Sequence, residues 1–437
     1  MRDLFIALVL GGLIPAALYR PFVGVILWTW VSLMAPHRLS WGFAYDLPFV
    51  QMIAIATLVG LFISPERKAF PASAPTVWFI LFTIWTCITT VFALSPELST
   101  ARLIYVLKIF ALAYVALLVT NTRERIHVLV WTIAISVGFY GVKGALFVLV
   151  SGGAYRVYGP AGSYIQDNNH MALALIMIVP LLRYLQLNSG VRLIRVGHGV
   201  AMGALIISAL GSYSRGALLA LSVTVLTILV QTRRKALASV ILLGALVGGI
   251  LFLPQDWFDR MGTIETYDED ASTQGRFEIW ALSTQIALDR PIFGGGFDVL
   301  FDRDTYARYN SDIRPRSAHS IIFQVLGEHG FVGLFLFLMM GLATWFKGWR
   351  VRKLTRNRSD LRWAYDLASM WQVSLTGYVA AGLFLNLAFF DLVYLFVPIA
   401  AATAALVLRE TAPAAARMQL VAPSSLPRPA LGIAERA

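Results

Sequence analysis

A histidine and two arginines stand beside apolar segments, in positions where they could carry chemistry. His319 opens the apolar segment 319–346, and an imidazole, with an ordinary pKa near 6.5, suits proton transfer near neutral pH. Arg215 lies in the sequence Gly-Ser-Tyr-Ser-Arg-Gly between two apolar segments, and Arg276 follows Gln-Gly at 274–275. A guanidinium offers two parallel donors that fit a phosphate, and small neighbours leave room for it. The simpler interpretations stay open: His319 and Arg215 as polar anchors of spans, and Arg276 as a solvated loop charge.

Further polar residues lie close to these three in the sequence. Ser214 precedes Arg215 and Ser320 follows His319, so both are candidate supporting residues. Asp167 and Asn169 introduce the apolar segment at 170–187; they are candidate site residues or simply the cap of a helix. Glu328 and His329 lie about 14 Å deeper along the helix that His319 begins. We interpret that pair as a separate structural polar pair inside the bundle.

The helix after His319 is expected to carry a face of small residues. At 100° per residue, Gly330 returns to within about 20° of His319 and Gly333 lies about 40° away. Such a face begins with an imidazole and continues with glycines, which admit a neighbouring helix or a lipid chain at close range.

The sequence favours neither a metal site nor a cofactor. The run Asp268-Glu269-Asp270 could attract a divalent cation, but consecutive carboxylates in a polar loop are more often only solvated. Cys87, which is the single cysteine, lies in an apolar run, so neither a disulfide framework nor a cysteine zinc site is available.

The elements that position these residues are membrane spans. The chain is 58% hydrophobic and 14% charged, whereas a soluble domain carries roughly 25% charged residues. Apolar runs near the length needed to cross a bilayer recur along it, which predicts an all-α polytopic membrane protein. We expect twelve crossings, at about 3–35, 47–63, 76–94, 102–119, 127–150, 170–187, 198–211, 214–231, 236–253, 319–346, 366–386 and 391–408.

The first segment is the ambiguous one. It is too long for a simple crossing and is interrupted by Tyr19-Arg20-Pro21, where the proline disrupts a helix. A broken span and a tight hairpin are both compatible with the pattern. We expect this segment to be retained and not cleaved as a signal peptide, because many spans follow it and no small-residue cleavage site is present.

Basic residues indicate which loops are cytoplasmic. They concentrate in alternate loops, at 67–68, 123–125, 192–195, 233–235 and 347–362, so the net charge of +12 does not point to nucleic acid. The loops 151–169, 211–214, 254–318 and 387–390 then face outward. The expected organisation is spans over 1–253, a periplasmic insert over 254–318, C-terminal spans over 319–408 and a disordered cytoplasmic tail over 409–437.

The insert is the chain's largest polar stretch. It holds twelve of the 24 acidic residues, seven arginines and no lysine. Within it, 274–288 is expected to form an amphipathic helix that can lie along the membrane surface. Pro291 ends that helix, and Gly294-Gly295-Gly296 follows as a flexible turn.

The order of these motifs resembles the bacterial O-antigen ligase family. His319-Ser320, nine residues, Gly330 and then Gly333 resemble the family's histidine signature, and Ser214-Arg215-Gly216, Arg276, Trp280 and the glycines after Pro291 accompany it. Asp167-Asn168-Asn169 is similar to the family's Asp-x-Asn, without its usual middle proline. The N-terminal sequence from Met34 to Gly42 resembles a subgroup often called O-glycosylation ligases.

The resemblance implies a membrane-embedded glycosyltransferase of the C type. It would transfer a glycan from undecaprenyl diphosphate to a hydroxyl of lipid A–core, at the periplasmic side of the bacterial inner membrane, without a metal and with inversion. His319 would be the general base, and Arg215 and Arg276 would bind the donor diphosphate.

Two acceptors other than lipid A–core stay open within the superfamily: a growing glycan, as in an O-antigen polymerase, and a protein Ser or Thr, as in an O-oligosaccharyltransferase. A flippase or another transporter is the candidate from a different class. Transporters place ionisable residues near the bilayer midplane, whereas the candidate residues here collect at one edge of the membrane.

Overall fold

The fold is known from a computed structural model, which describes residues 2–231, 255, 257, 271–309 and 314–412. Within those ranges the chain forms helices and no strand, so the predicted all-α class is confirmed there. The helices are α1 (Arg2–Tyr19), α2 (Pro21–Met34), α3 (Phe49–Ile63), α4 (Ala74–Val91), α5 (Pro96–Val119), α6 (Arg123–Val150), α7 (Asn168–Leu187), α8 (Arg192–Leu210), α9 (Arg215–Gln231), α10 (Ala271–Asp289), α11 (Arg303–Arg308), α12 (Ile321–Thr355), α13 (Arg362–Gly382) and α14 (Asp391–Thr411).

Eight of these helices are long and apolar enough to cross a membrane: α1, α4, α5, α6, α7, α8, α12 and α14. Three shorter apolar helices lie at 21–34, 49–63 and 215–230. The chain is therefore a polytopic helical membrane protein. The expected span at 236–253, the basic loop at 233–235 and the tail from 413 lie outside the described residues, and the count of twelve crossings stays a prediction.

The first apolar segment is a helical hairpin. α1 ends at Tyr19, Arg20 has non-helical dihedral angles, and Pro21 begins α2, where its missing N–H costs nothing. The carboxylate of Asp3, at the start of α1, accepts hydrogen bonds from the backbone N–H of Gly42 (2.9 Å) and Ala44 (3.2 Å), beyond the end of α2. The two helices are therefore antiparallel, which resolves the ambiguity in the sequence.

The loops gather at two ends of the bundle. At the end that we call the insert end, Leu94 donates a backbone hydrogen bond to Gly295, Val157 donates one to Gly211, and Tyr164 stacks on Phe390. At the opposite end, which we call the basic end, Ala69 donates to Leu118 and the side chain of Asn121 donates to the carbonyl of Arg67. The loops that the basic pattern assigns to one side thus contact one another.

The centre of the bundle is formed by α7, α13 and α14. The most apolar window of α14 is 83% buried and that of α7 is 78% buried, whereas the corresponding window of α1 is 11% buried. α7 packs against α8 and α13, and α12 packs against α4 and α13. Peripheral helices such as α1 present apolar side chains outward, as expected of a surface that meets lipid.

The described part of the insert packs on the bundle. α10 spans Ala271–Asp289 and ends just before Pro291, which confirms the predicted helix and its end. It packs along the start of α12: Trp280 stacks on Phe323 with 4.8 Å between ring centroids, and Gly327 faces Ser283. The position of α10 is therefore set by contacts with a span.

The glycine run 294–296 is not a free turn, which corrects the prediction of flexibility. The N–H groups of Gly295 and Gly296 donate to the carbonyls of Gly327 and Glu328, each at 2.8 Å. Those carbonyls are available because Gly330, at φ 68° and ψ −172°, breaks α12 and interrupts its hydrogen-bond ladder. The N–H of Phe331 donates in turn to Pro291 at 2.9 Å. The break in α12 and the glycine run therefore satisfy one another's backbone groups.

Candidate functional site

His319 lies at the insert end, immediately before α12, and is held in an unusual backbone conformation. Its φ of 47° falls in the left-handed region, which costs a non-glycine residue on the order of 1–3 kcal/mol. α12 itself begins at Ile321 with Ser320 as the buried N-cap residue, so His319 precedes the helix and does not open it. The indole N–H of Trp280 donates to the carbonyl of Ala318 at 2.8 Å, and this contact fixes the chain just before the histidine.

Charged residues from three other parts of the chain act on His319. Burial, which is the largest cause, acts together with Arg276, His170 and Arg316 to lower the pKa of His319 to about 4, while Asp167 opposes them. The imidazole is therefore neutral at pH 7 and has a free electron pair for a proton. The structure thus brings together His319, Arg276 and the start of α7, which lie far apart in the sequence.

The start of α7 combines a cap with a part of the site. Asp167 is the N-cap residue: its carboxylate accepts from the N–H of Asn169 (2.8 Å) and of His170 (3.3 Å), and from the Asn169 side chain at 3.0 Å. The capping alternative is therefore present in the structure. The same carboxylate also acts electrostatically on His319, so the cap is part of the histidine's surroundings.

Arg215 and Ser214 lie on the neighbouring loop. Arg215 is the first residue of α9 and is half-buried, and the hydroxyl of buried Ser214 accepts from the N–H of Ala217 at 3.1 Å. The Asn168 side chain donates to the carbonyl of Ser212 at 2.7 Å, which ties the loop before Arg215 to the start of α7. Asp167 and Arg276 thus act on His319 itself, whereas Arg215 and Ser214 join it through Asn168.

The glycine face expected beside His319 is not formed, because Gly330 interrupts the helix and the count of 100° per residue does not continue through it. A Cβ at Gly330 would lie 2.5 Å from the carbonyl oxygen of Ile292, and one at Gly333 would lie 2.3 Å from the Cβ of His329 and 3.2 Å from the ring of Trp85. The chain's own residues fill both positions, so neither glycine is open to a lipid chain.

A buried polar network, which was only partly anticipated, lies behind the site. Glu328 accepts from the N–H of Asp298 at 3.3 Å, and Asp298 lies 3.9 Å from Arg102. His329 bonds to Thr89 at 2.7 Å and lies 3.8 Å from Glu328. The expected structural pair of Glu328 and His329 is thus one part of a larger network. The signal that could have revealed Arg102 is an arginine at the start of an apolar segment.

An aromatic ring connects this network to the histidine site. The guanidinium of Arg102 lies 5.7 Å from the centroid of the Tyr164 ring. The Tyr164 ring also stacks on His170, with 6.0 Å between centroids and 22° between planes, and the carbonyl of Tyr164 bonds to the His170 ring at 3.2 Å. His170 thus contacts Tyr164 and also acts electrostatically on His319.

Metal-ligating side chains do not cluster in groups of three or more within the described ranges. Asp268-Glu269-Asp270 lies outside those ranges.

The class of protein follows from the fold and site together: a polytopic helical membrane protein that collects a neutral histidine and arginines at one end of its bundle. Residues 200–338 match the family model described as O-antigen ligase, and this match supports assignment of that part of the chain to the O-antigen ligase family. The matched range contains Arg215, Arg276 and His319. Residues 1–190 match a second model, described as a family of unknown function (DUF5935). No curated protein matches the chain.

Proposed function

We propose that the protein transfers a glycan from undecaprenyl diphosphate to a sugar hydroxyl of lipid A–core, at the periplasmic face of the bacterial inner membrane. The observation that carries this proposal is the convergence on His319 of Arg276 and the start of α7, at the end of the bundle to which the insert belongs. The O-antigen ligase domain supports the reaction class. The basic loops at the opposite end support a periplasmic site.

His319 acts as the general base in this proposal. A sugar hydroxyl is a poor nucleophile until its proton is removed, and a positioned base contributes roughly 10²–10⁴ in rate. The acceptor oxygen attacks the anomeric carbon while the bond from that carbon to the diphosphate oxygen breaks. The proton passes to the imidazole, the electron pair leaves with the diphosphate, and the configuration of the anomeric carbon inverts.

Arg215 and Arg276 bind the diphosphate and stabilise the charge that grows on it as the bond breaks. Guanidinium groups suit this task because they donate in pairs and stay charged.

The positive charge of Arg276 also couples donor binding to the basicity of His319. Arg276 lowers the pKa of His319 in the free protein, and a bound dianionic diphosphate offsets that effect. The histidine therefore becomes more basic when the donor is in place.

The test is transfer by the purified protein, given lipid-linked glycan and rough lipopolysaccharide without added metal. Formation of glycan-bearing lipopolysaccharide supports the proposal. Elongation of the donor glycan alone would indicate a polymerase, and modification of Ser or Thr in an added protein would indicate an O-oligosaccharyltransferase. Movement of intact donor across the membrane without any transfer would indicate a flippase.

A further inference from the structure

Two cavities flank the segment between α2 and α3, and neither belongs to the histidine site. The first is a groove of about 550 Å³ between α1, α2 and α6. Its walls are apolar, with Phe5, Leu10 and Trp30 among them. The charged groups in its lining are Arg2, Arg38 and Lys143, and that lining contains no carboxylate.

The second cavity has a different character. It occupies about 310 Å³ on the other face of α2, against α5 and the loop that precedes α7, which is at the lower limit of typical small-ligand pockets. Its lining combines aromatic rings with hydrogen-bonding groups, a combination that suits a carbohydrate: Trp28, His37, Asp46, Tyr105, Tyr164 and Asp391. Arg38 and Lys108 add positive charge to it.

Arg38 joins the two cavities, since it lines both of them. Its guanidinium lies 4.5 Å from the centroid of the Tyr45 ring. It also packs against the loop before α7, where a Cβ added at Gly162 would lie 3.4 Å from a guanidinium nitrogen. A ligand group bound by Arg38 would therefore have the apolar groove on one side and the polar cavity on the other.

His37 is a second, independent sign of a ligand in the polar cavity. Its side chain lines the cavity and is only 7% exposed. Its Nδ1 has no hydrogen-bond partner among the described residues, and its ring contacts Phe49 edge-on. Because a buried polar atom without a partner costs about 1–3 kcal/mol, this nitrogen is a ready contact for a polar group that enters the cavity.

The polar cavity leads toward the histidine site. Tyr164 forms part of its wall, and Tyr164 also stacks on His170, which acts electrostatically on His319. Tyr164 and His170 thus connect the cavity wall to the surroundings of the proposed general base. Arg215 and Arg276 lie on α9 and α10, and neither helix lines this cavity.

We propose that these cavities form the acceptor site, and that its ligand is a phosphate-bearing glycolipid. The apolar groove takes the hydrocarbon chains, Arg38 binds the phosphate, and the polar cavity takes the adjoining sugars, whose continuation reaches His319. The inference rests on the proposed function, because it assumes that Arg215 and Arg276 hold the donor. Charge complementarity selects the ligand: cations line an apolar groove that would face lipid, and a protein acceptor would have no use for that groove.

The experiment measures binding and kinetics on the purified full-length protein. The probe is rough lipopolysaccharide, used intact and after enzymatic removal of its phosphates, and binding is measured without donor. Arg38→Ala should weaken binding of the intact probe roughly tenfold or more, as expected for loss of a charge-assisted hydrogen bond. Binding of the dephosphorylated probe should be weak for the parent and unchanged by the substitution.

Two more variants guard against a general loss of structure. Arg38→Lys keeps the charge without the planar fork and should lose less than the alanine variant. Arg192→Ala removes an exposed cation at the basic end and should bind as the parent does. In transfer assays, Arg38→Ala should raise the KM for the acceptor and leave the KM for the donor within about twofold.

The outcomes separate this inference from the proposed function. Binding of the probe through Arg38 without any transfer would leave the glycolipid site standing and overturn the ligase. Transfer with an unchanged acceptor KM in Arg38→Ala would support the ligase and overturn the glycolipid site. A rise in the donor KM instead would assign the groove to the donor, which also overturns the inference.

Discussion

The surroundings of His319 and of Gly330 differ sharply, although the two residues lie eleven positions apart at the same end of α12. The side chain of His319 is half-buried, and polar groups of α7 and α10 act on it electrostatically. Around Gly330 the backbone is enclosed, and the glycine run 294–296 completes the hydrogen bonds of the broken helix. Both residues belong to the spacing that resembles the family's histidine signature. If His319 is the general base, as we propose, that spacing combines one position for chemistry with one for architecture.

The substitution His319→Gln tests the chemical role of His319 most directly and should have the largest effect. An amide resembles imidazole in size and hydrogen bonding but does not titrate near neutrality, so transfer should fall by roughly 10²–10⁴. Donor binding should survive, because our proposal assigns it to Arg215 and Arg276. The measurement is donor binding and single-turnover transfer on the same purified variant. Transfer within a few-fold of the parent would rule out the general base and leave His319 a positioning role.

The arginines should come next in effect. Arg276→Ala and Arg215→Ala should each reduce transfer by roughly 10²–10³, the usual cost of losing a donor to developing charge, and lysine should restore little. Arg314→Ala is the matched control, since Arg314 is an exposed arginine just before His319. Near-normal transfer by either of the first two variants would return that arginine to the role of a membrane-edge anchor.

Gly330→Ala should act on the fold and not on the chemistry. The new methyl would lie 2.5 Å from the Ile292 carbonyl oxygen, at a φ of 68°, and the strain should lower the free energy of unfolding by about 1–3 kcal/mol. Gly341→Ala, in the same helix, meets nothing within 4 Å and should leave the unfolding midpoint in detergent nearly unchanged. Equal midpoints for the two variants would contradict the architectural role of Gly330.

The smallest expected effect is that of pH. Because the pKa of His319 is lowered to about 4, the imidazole stays neutral and competent as pH falls from 7 to 5. The kcat/KM profile, which reports the free enzyme, should lose activity only as pH falls through about 4. The corresponding limb of kcat should lie higher, because bound diphosphate raises the pKa. A fall in kcat/KM at a pH near 6.5 would show that the pKa of His319 is not lowered in the free protein.

Local patterns were sufficient for part of this protein. Hydrophobic runs predicted the helices, Pro291 predicted the end of α10, and the spacing from His319 to Gly333 indicated the family, because each depends on residues close together in the chain. The candidate residues themselves were also visible, since an ionisable group beside a span is costly and therefore conspicuous.

Tertiary structure decided the rest, because those features depend on contacts between distant residues. The break at Gly330 is stabilised by a loop more than 30 residues earlier. The prediction of a glycine face assumed an unbroken helix, because the residues near Gly330 do not reveal that contact. Asp3 selects the hairpin by binding a loop near residue 42. The low pKa of His319 arises from burial together with α7 and α10. Arg38 lines two cavities because α2 lies between them, and the sequence alone does not indicate that α2 separates two cavities.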